Sequence, residues 1–95
     1  MTLEIDIETE ASERLFDEFG IPSIKLTMVG NSGWPDRIYV LPRGKLIWVE
    51  YKRPGKKRSP KQVWAHKLLK AFGHDVRTYE NVEDAVAGVS RALDS

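Results

Sequence analysis

Residues 45–52 read KLIWVEYK, and apolar side chains occupy every position from 46 to 49. A strand that is apolar on both faces is typical of the interior of a sheet, so we expect this segment to be a central strand. Successive side chains of a strand point to opposite faces, and Glu50 and Lys52 therefore lie on the same face as Trp48. The strand presents a carboxylate and an amine together at its C-terminal end, where α/β folds commonly form sites.

The segment before this strand predicts a hairpin. Residues 36–41 are typical of a second strand, and residues 42–44, Pro-Arg-Gly, are typical of the turn that joins the two strands. An antiparallel pairing centred on residue 43 places Asp36 opposite Glu50. The predicted register therefore brings two carboxylates close together.

Two opposed carboxylates repel each other, and a divalent cation between them removes that penalty. Oxygen ligands suit Mg²⁺ or Mn²⁺, so we expect one of these ions as the cofactor. Such an ion can polarise a phosphodiester, while Lys52 positions the attacking water or stabilises charge on the phosphate. Together Asp36, Glu50 and Lys52 predict phosphodiester hydrolysis, although each alone is equally typical of a turn or a surface ion pair.

On the N-terminal side of the hairpin, the pattern predicts a helix and a strand. Residues 5–19 have helical spacing, and Gly20 follows as a C-terminal stop. Residues 24–28 alternate apolar and polar positions, as in a half-buried strand, and a turn is predicted at residues 31–33. The inner sides of the two elements are predicted to consist of Ala11, Leu15, Phe16 and Phe19 in the helix and Ile24, Leu26 and Met28 in the strand.

On the C-terminal side, residues 59–62, Ser-Pro-Lys-Gln, predict the start of a second helix that runs to Gly73, with Ser59 as the cap and Gln62 completing a capping box. A strand is predicted at residues 75–79. Asn81 then caps a last helix, whose apolar stripe consists of Val82, Ala85, Val86, Val89, Ala92 and Leu93. The predicted element order is αβββαβα.

The composition, with 41% hydrophobic and 31% charged residues, is that of a globular protein, and the short chain predicts one domain over residues 1–95. No apolar run approaches the roughly 18 residues that span a bilayer, so we expect no membrane partner and a location in the cytoplasm of a bacterium or a phage-infected host cell. The absence of cysteine excludes disulfides and thiol catalysis. No motif predicts a small-molecule organic cofactor.

Charge is unevenly distributed along the chain, although its net value is only +1. The charged side chains of residues 4–18 are all acidic apart from Arg14, whereas those of residues 45–61 are all basic apart from Glu50. The basic stretch predicts contacts with nucleic-acid phosphates through Arg53, Lys56, Lys57, Arg58 and Lys61. Lys25 and Arg37 are expected to border the same cleft, and the alternative is a solubilising loop.

Residues 33–62, GWPDRIYVLPRGKLIWVEYKRPGKKRSPKQ, resemble the signature of the virus-type replication-repair nuclease (VRR-NUC) family of the PD-(D/E)XK nuclease superfamily. The resemblance rests on Pro35-Asp36, Glu50-Tyr51-Lys52 with its continuation through residues 53–55, and Gln62 before an amphipathic helix. It implies an α/β fold with a PD-(D/E)XK-like αβββαβ core, in which helices flank a mixed central sheet, and a further C-terminal helix.

The resemblance also implies roles for individual residues. Asp36, Glu50 and the main-chain carbonyl of Tyr51 would bind the metal, and Lys52 would be the catalytic lysine. Gln62 would lie in the site near the metal or the scissile phosphate, unless it only completes the capping box, and one side chain is not expected to do both.

A glutamate on the first helix is implied as a further metal ligand, and Glu8, Glu10 and Glu13 compete for this role. Glu8 continues the inward stripe and is preferred, with Glu10 as the second choice; the alternative for all three is a solvated acidic face.

The histidines and tryptophans are interpreted mainly as structural residues. We expect His66 on the helix surface, His74 in a turn, Trp34 packed in a turn or stacked on a base, and Trp48 and Trp64 in the core.

The main hypothesis is a metal-dependent, structure-specific DNA endonuclease, similar to Holliday junction resolvases in cutting branched DNA as a homodimer, and suited to repair or recombination in a phage. The exposed side of the last helix or residues 24–28 would form the dimer interface. The alternative is a non-catalytic nuclease-fold module that binds DNA, although Asp36, Glu50 and Lys52 are all present. A third interpretation is a subunit whose basic loop docks an acidic protein.

Overall fold

A computed structural model of the chain describes residues 3–27 and 33–95. The strands of these residues are β1 Ser23–Lys25, β2 Arg37–Val40, β3 Leu46–Tyr51 and β4 Asp75–Tyr79. The α-helices are α1 Glu4–Phe19, α2 Pro60–Ala71 and α3 Val82–Arg91. This order confirms the predicted αβββαβα arrangement. Met28 and most of the turn predicted at residues 31–33 lie outside the described residues.

The strands form one mixed sheet in the order β1-β2-β3-β4. The pairs β1/β2 and β2/β3 are antiparallel, and β3/β4 is parallel. The predicted central position of β3 is therefore confirmed. Arg37 pairs with Val49 and Ile38 with Trp48, so the register is the predicted one and its continuation brings residue 36 opposite residue 50.

The turn between β2 and β3 has a local cause in its sequence. Pro42 occupies the first position of a short 3₁₀ segment, Pro42–Gly44, because its ring fixes the backbone angle φ. Arg43 and Gly44 then adopt left-handed conformations with φ of 63° and 73°. Glycine tolerates this region without strain, so the chain reverses there and β3 pairs back along β2.

The main hydrophobic core lies between one face of the sheet and helices α1 and α3. Its buried residues are Ile7, Ala11, Leu15, Ile21, Tyr39, Leu41, Ile47, Val49, Tyr51, Ala85, Val86 and Val89. Each large apolar side chain buried in this way stabilises the fold by about 1.5–3 kcal/mol. Trp48, Glu50 and Lys52 point to the opposite face, where α2 covers the sheet.

Two predictions about buried faces were wrong in the N-terminal half. Phe16 and Phe19 are 60% and 42% exposed, whereas Ile7 and Glu8 are buried together with Ala11 and Leu15. The helix therefore buries Ile7, Ala11 and Leu15, which are spaced four residues apart, and Phe16 lies about 100° around the helix from Leu15.

In the edge strand β1, Ile24 is exposed, and it is Ser23 and Lys25 that contact side chains of α1 and β2. A strand that is turned by one residue presents the opposite set of side chains, which reverses the predicted inner face. No helix in residues 3–27 and 33–95 is both long and apolar enough to cross a membrane.

Candidate active site

Asp36 and Glu50 lie together at the end of the β2/β3 hairpin. The backbone of Asp36 joins the sheet on both sides, because its N–H donates to the Val49 carbonyl at 2.9 Å and its carbonyl accepts from the Leu26 N–H at 2.9 Å. Its carboxylate accepts a hydrogen bond of 2.7 Å from the Tyr51 N–H. This hydrogen bond fixes the Asp36 carboxylate near Glu50, and each of the two carboxyl groups influences the pKa of the other.

Burial decides the protonation of this pair. It raises the pKa of Asp36 to about 7, against the opposing effect of the Tyr51 N–H. It also raises the pKa of Glu50 to about 7, and the nearby Lys52 charge offsets this only in part. In the absence of another cation, the pair therefore retains a proton up to neutral pH.

The pair has the chemistry of a site for a hard cation. Two adjacent carboxylates supply oxygen ligands, and Oε1 of Glu50 is buried without a hydrogen-bond partner among the described residues. These properties fit Mg²⁺ or Mn²⁺. No group of three or more carboxylate or imidazole side chains within the described part of the chain is arranged to hold a metal. Asp36 and Glu50 are thus the side-chain donors available in this arrangement.

Lys52 lies one position beyond the end of β3 and is only 6% exposed. Its backbone N–H donates to the Tyr79 carbonyl at 3.0 Å, which extends the parallel pairing with β4. Its ammonium group lowers the pKa of Glu50, as a nearby positive charge does. Lys52 also lines a surface cavity of about 520 Å³ together with Lys56, Lys57 and Arg58. Lys52 and the basic loop therefore share one cavity.

Glu8 is the buried one of the three candidate glutamates on α1. It is 3% exposed, whereas Glu10 and Glu13 are exposed to solvent. Its carboxylate accepts hydrogen bonds from Lys25 Nζ at 2.7 and 2.8 Å and from Arg37 Nε at 2.7 Å. Lys25 and Arg37, both predicted to bind nucleic acid, are thus paired with Glu8 in this structure.

A buried chain of hydroxyl groups fixes α1 beneath the site. Ser12 Oγ donates to the Glu8 carbonyl at 2.7 Å and lies 2.8 Å from the Tyr39 hydroxyl. That hydroxyl lies 2.6 Å from the hydroxyl of Tyr51. The chain links the turn of α1 that carries Glu8 to β2 and β3. Its residues are far apart in sequence, and no motif indicates them.

Gln62 makes both the capping contact and a contact with Glu50, although these were expected to exclude each other. Its Oε1 accepts from the Ser59 N–H at 2.9 Å and completes the capping box at the start of α2. Its Nε2 donates to Oε2 of Glu50 at 3.2 Å. The expectation that one side chain would not do both was wrong, because an amide has separate acceptor and donor ends.

His66 does not lie on the helix surface, as was predicted, but is buried with 2% exposure. Its Nδ1 lies 2.8 Å from Nη1 of Arg58, and its Nε2 lies 3.8 Å from Oε1 of Glu50. Burial, followed by the charge of Arg58, lowers the pKa of His66 to about 4. The spacing of four residues from Gln62 was the available signal, since it places both side chains on one helix face.

The basic loop is held at several points by hydrogen bonds to its backbone and side chains. The Arg53 N–H donates to Glu4 at 3.3 Å, and the Gly55 N–H donates to Glu80 at 2.9 Å. Arg58 contacts His66, as described above. The side chains of Lys56, Lys57 and Lys61 are exposed. The loop therefore presents cations to solvent beside Lys52.

Three tryptophan side chains form an aromatic cluster next to the loop that carries Asp36. The ring of Trp34 lies 6.4 Å from that of Trp48 and 6.4 Å from that of Trp64. Trp34 and Trp48 are half-buried, whereas Trp64 is 61% exposed, so its predicted core position was wrong. His74, in its predicted loop position, packs its ring against Trp48 at 5.5 Å.

Gly33 explains how closely the loop that carries Asp36 approaches α2. A side chain at this position would meet the backbone of Lys61 at 2.8 Å, and φ is 118°. Only glycine permits this conformation and this close approach together. The contact holds Trp34 and Asp36 against the first turn of α2.

No family model matches the chain. A solved structure described as a VRR-NUC domain superposes with a TM-score of 0.80 and is 30% identical, covering 94% of this chain and 96% of its own. A second VRR-NUC domain protein has a TM-score of 0.75 over 98% of this chain and 89% of its own, and at 17% identity it shows the fold alone.

One curated relative comes from Acyrthosiphon pisum secondary endosymbiont phage 1 and is named "Putative nuclease p44". It is 48% identical over 52 residues, which is 55% of this chain and 56% of the phage protein. The matched segment therefore spans about half the length of that relative.

Proposed function

The chain belongs to the VRR-NUC family of nuclease domains, and on this premise we propose that it is a metal-dependent, structure-specific endonuclease acting on branched DNA, similar to a Holliday junction resolvase. The observation that carries the proposal is the pairing of the half-buried Asp36 with the buried Glu50 beside Lys52. Two neighbouring carboxylates that are shielded from water are unfavourable unless a cation or a proton lies between them. A functional requirement explains why the chain retains this arrangement.

Asp36, Glu50 and the main-chain carbonyl of Tyr51 would hold Mg²⁺ or Mn²⁺. Glu8 is the proposed further ligand, and its carboxylate is paired with Lys25 and Arg37 in this structure. When bound, the cation supplies Lewis-acid stabilisation of the scissile phosphate and acidifies a water molecule. Holding the ion is therefore the proposed role of the carboxylates.

Lys52 is the proposed catalytic lysine, because its buried ammonium group adjoins Glu50 and faces the cavity shared with the basic loop. In that position it stabilises charge on a phosphate or orients the attacking water. Gln62 donates to Glu50 and holds one of its oxygens in place. The chain's own residues thus supply a positioned carboxylate pair and a positioned cation.

Recognition of the DNA is proposed to combine phosphate contacts with stacking. Lys56, Lys57 and Lys61 present exposed charges, and Arg53 and Arg58 belong to the same loop. The exposed ring of Trp64 is suited to stack on a base that lacks a pairing partner, as at a branch point. Because the cations of this loop suit contacts with phosphates, which carry no sequence information, we propose recognition of shape rather than of sequence.

A homodimer is part of the proposal, because a single small domain with one site cannot easily cut two strands symmetrically. The exposed side of α3 and the edge strand β1, where Ile24 is 54% exposed, are the proposed interfaces. Sedimentation equilibrium with and without branched DNA measures the mass. A monomer under both conditions would remove the dimer from the proposal.

Cleavage of branched and linear DNA in Mg²⁺, Mn²⁺ or EDTA tests the proposed function. We expect cleavage of branched substrates with either metal, none in EDTA, and a loss of at least about 100-fold in Asp36→Asn and in Lys52→Ala. The pair Glu8→Gln and Glu10→Gln is a matched control on α1, and only the former is expected to lose activity. Cleavage that survives both Asp36→Asn and Lys52→Ala would refute the site. Binding of DNA without cleavage would favour the non-catalytic module. The absence of both binding and cleavage would favour docking to an acidic protein.

A further inference from the structure

A buried contact connects the basic loop to Glu50, and the proposed function does not account for it. His66 lies between Arg58, 2.8 Å from its Nδ1, and Glu50, 3.8 Å from its Nε2. Both Nε2 of His66 and Oε1 of Glu50 are buried, and neither has a hydrogen-bond partner among the described residues. Unpaired buried polar atoms are rare in proteins, and two that face each other indicate an interaction.

The contact with Arg58 determines which imidazole nitrogen carries the proton. A guanidinium group offers only donors and stays charged, so Nδ1 of His66 must accept the hydrogen bond. A neutral imidazole has one N–H, which must then be on Nε2. This is the nitrogen that faces Oε1 of Glu50, so the donor lies on the side where an acceptor lacks a partner.

The same contact requires a neutral His66, because an Nδ1 that accepts a hydrogen bond from Arg58 carries no proton of its own. A neutral ring with its proton on Nε2 donates to a carboxylate without adding a second charge to the site.

Two donors from successive turns of α2 therefore point at the Glu50 carboxylate. Gln62 donates to Oε2, and His66, four residues later on the same helix face, points Nε2 at Oε1. The 3.8 Å separation is longer than a hydrogen bond. Contacts of this kind in a free enzyme are often long and shorten when substrate or cofactor binds.

We propose that His66 is a positioning residue that orients the Glu50 carboxylate through its Nε2–H, and that Arg58 selects the tautomer which makes this possible. The inference rests on the proposed function, since it assigns Glu50 a role that requires orientation. Arg58 also belongs to the loop proposed to hold phosphates. If DNA displaces Arg58, the tautomer of His66 and therefore the orientation of the Glu50 carboxylate would change.

Nitrogen-15 NMR of the imidazole in the metal-free protein tests the tautomer directly. We expect a neutral His66 with the proton on Nε2. Arg58→Lys, which retains a donor, should preserve this signature, and Arg58→Leu should convert it to a mixture of tautomers. A proton on Nδ1 in the parent protein, or a signature that is the same in Arg58→Lys and Arg58→Leu, would overturn the inference.

Two substitutions of His66 test the effect on Glu50. Gln places its amide nitrogen near the position of Nε2, whereas Asn is shorter and reaches only the position of Nδ1. The carbon-13 shift of the Glu50 carboxyl, measured without metal, should stay near the parent value in His66→Gln and move in His66→Asn. Equal shifts in the two variants would contradict the inference, and circular dichroism establishes that both are folded.

Manganese binding followed by electron paramagnetic resonance separates this inference from the proposed function. His66→Asn should weaken Mn²⁺ binding by about 10-fold or more, and His66→Gln by much less, as for groups that orient metal ligands. If the parent protein binds no Mn²⁺, the proposed function fails, while the tautomer and the Glu50 shift still decide the role of His66.

Discussion

At the scale of single residues, the amide of Gln62 couples the start of a helix to the site. Its oxygen caps α2 and its nitrogen contacts Glu50, so the helix cannot begin elsewhere without releasing the carboxylate. Asp36 also makes two kinds of contact, since its backbone extends the sheet and its side chain accepts from Tyr51. Side chains of this kind link the local fold to the chemistry of the site.

Gln62→Glu separates the two roles of this residue. A glutamate at the same position still completes a capping box, but it places a carboxylate against Glu50. We expect unchanged helix content by circular dichroism and a fall of about 10-fold or more in cleavage rate, the usual cost of removing a group that orients a ligand. Parent-like cleavage by Gln62→Glu would show that the contact with Glu50 has no role.

Asp36→Asn is expected to change how stability depends on pH in EDTA. The pKa of Asp36 rises from 3.8 to about 7 on folding, so the folded protein binds more protons than the unfolded chain between these values. The free energy of unfolding of the parent therefore falls as pH rises through this window. The variant cannot ionise at this position, keeps an acceptor for the Tyr51 N–H and gains a donor to Glu50.

At pH 8 the Asp36→Asn variant should be more stable than the parent by on the order of 1–2 kcal/mol, and at pH 4 the difference should be close to zero. Urea unfolding of both proteins at the two pH values measures it. The lowered pKa of His66 acts in the opposite direction in both proteins. A difference that is the same at both pH values would argue against a raised pKa for Asp36.

At the scale of secondary-structure elements, the two sides of α2 make different contacts. Gln62 and His66 point inward to Glu50, and Ala65 and Leu69 pack beside them. Trp64 lies two positions before His66, which places it about 160° away around the helix, and it points outward beside Trp34. One helix thus holds the carboxylate and also displays an aromatic ring.

Trp64→Ala should leave stability nearly unchanged, within about 0.5 kcal/mol, because the side chain is mostly exposed. Binding of DNA with unpaired bases should weaken by about 1–3 kcal/mol, the usual contribution of one stacked base. Fluorescence anisotropy with branched and fully paired DNA measures the difference. Phe72→Ala, at the other end of the same helix, is the control. An equal weakening on paired DNA would contradict stacking.

At the scale of the whole molecule, the charge is almost balanced, so attraction to DNA must come from one region. Exposed acidic residues such as Glu10 and Glu13 lie on α1, and exposed basic residues cluster in the loop beside Lys52. The net charge of +1 gives no general affinity for a polyanion. Binding is therefore expected to depend on this loop.

The double substitution Lys56→Gln and Lys57→Gln should weaken DNA binding and reduce the slope of log affinity against log salt concentration by about 2, one for each phosphate that is no longer neutralised. Binding isotherms over a range of salt concentrations measure the slope. Arg91→Gln, an exposed cation on α3, removes one charge outside the loop and should leave the slope unchanged. If the two changes reduce the slope alike, the loop is not the binding surface.

The element order, the central position of β3 and the register that opposes Asp36 and Glu50 can all be predicted from the sequence alone. These features depend on short-range periodicity, on the turn around Arg43 and on the cap at Ser59, all of which act over a few residues. The pairing of the two carboxylates follows from the turn because strand geometry leaves no freedom once the register is set.

Which side chains are buried around this pair follows from tertiary packing. The exposure of Phe16, the inward position of His66 and the exposure of Trp64 depend on how each helix is rotated against the sheet. That rotation is set by packing partners far away in the sequence. A local pattern with apolar residues on several sides of a helix does not determine which side faces the sheet. The contacts from α2 to Glu50 exist for the same reason, since they form only when the helix lies across the end of β3.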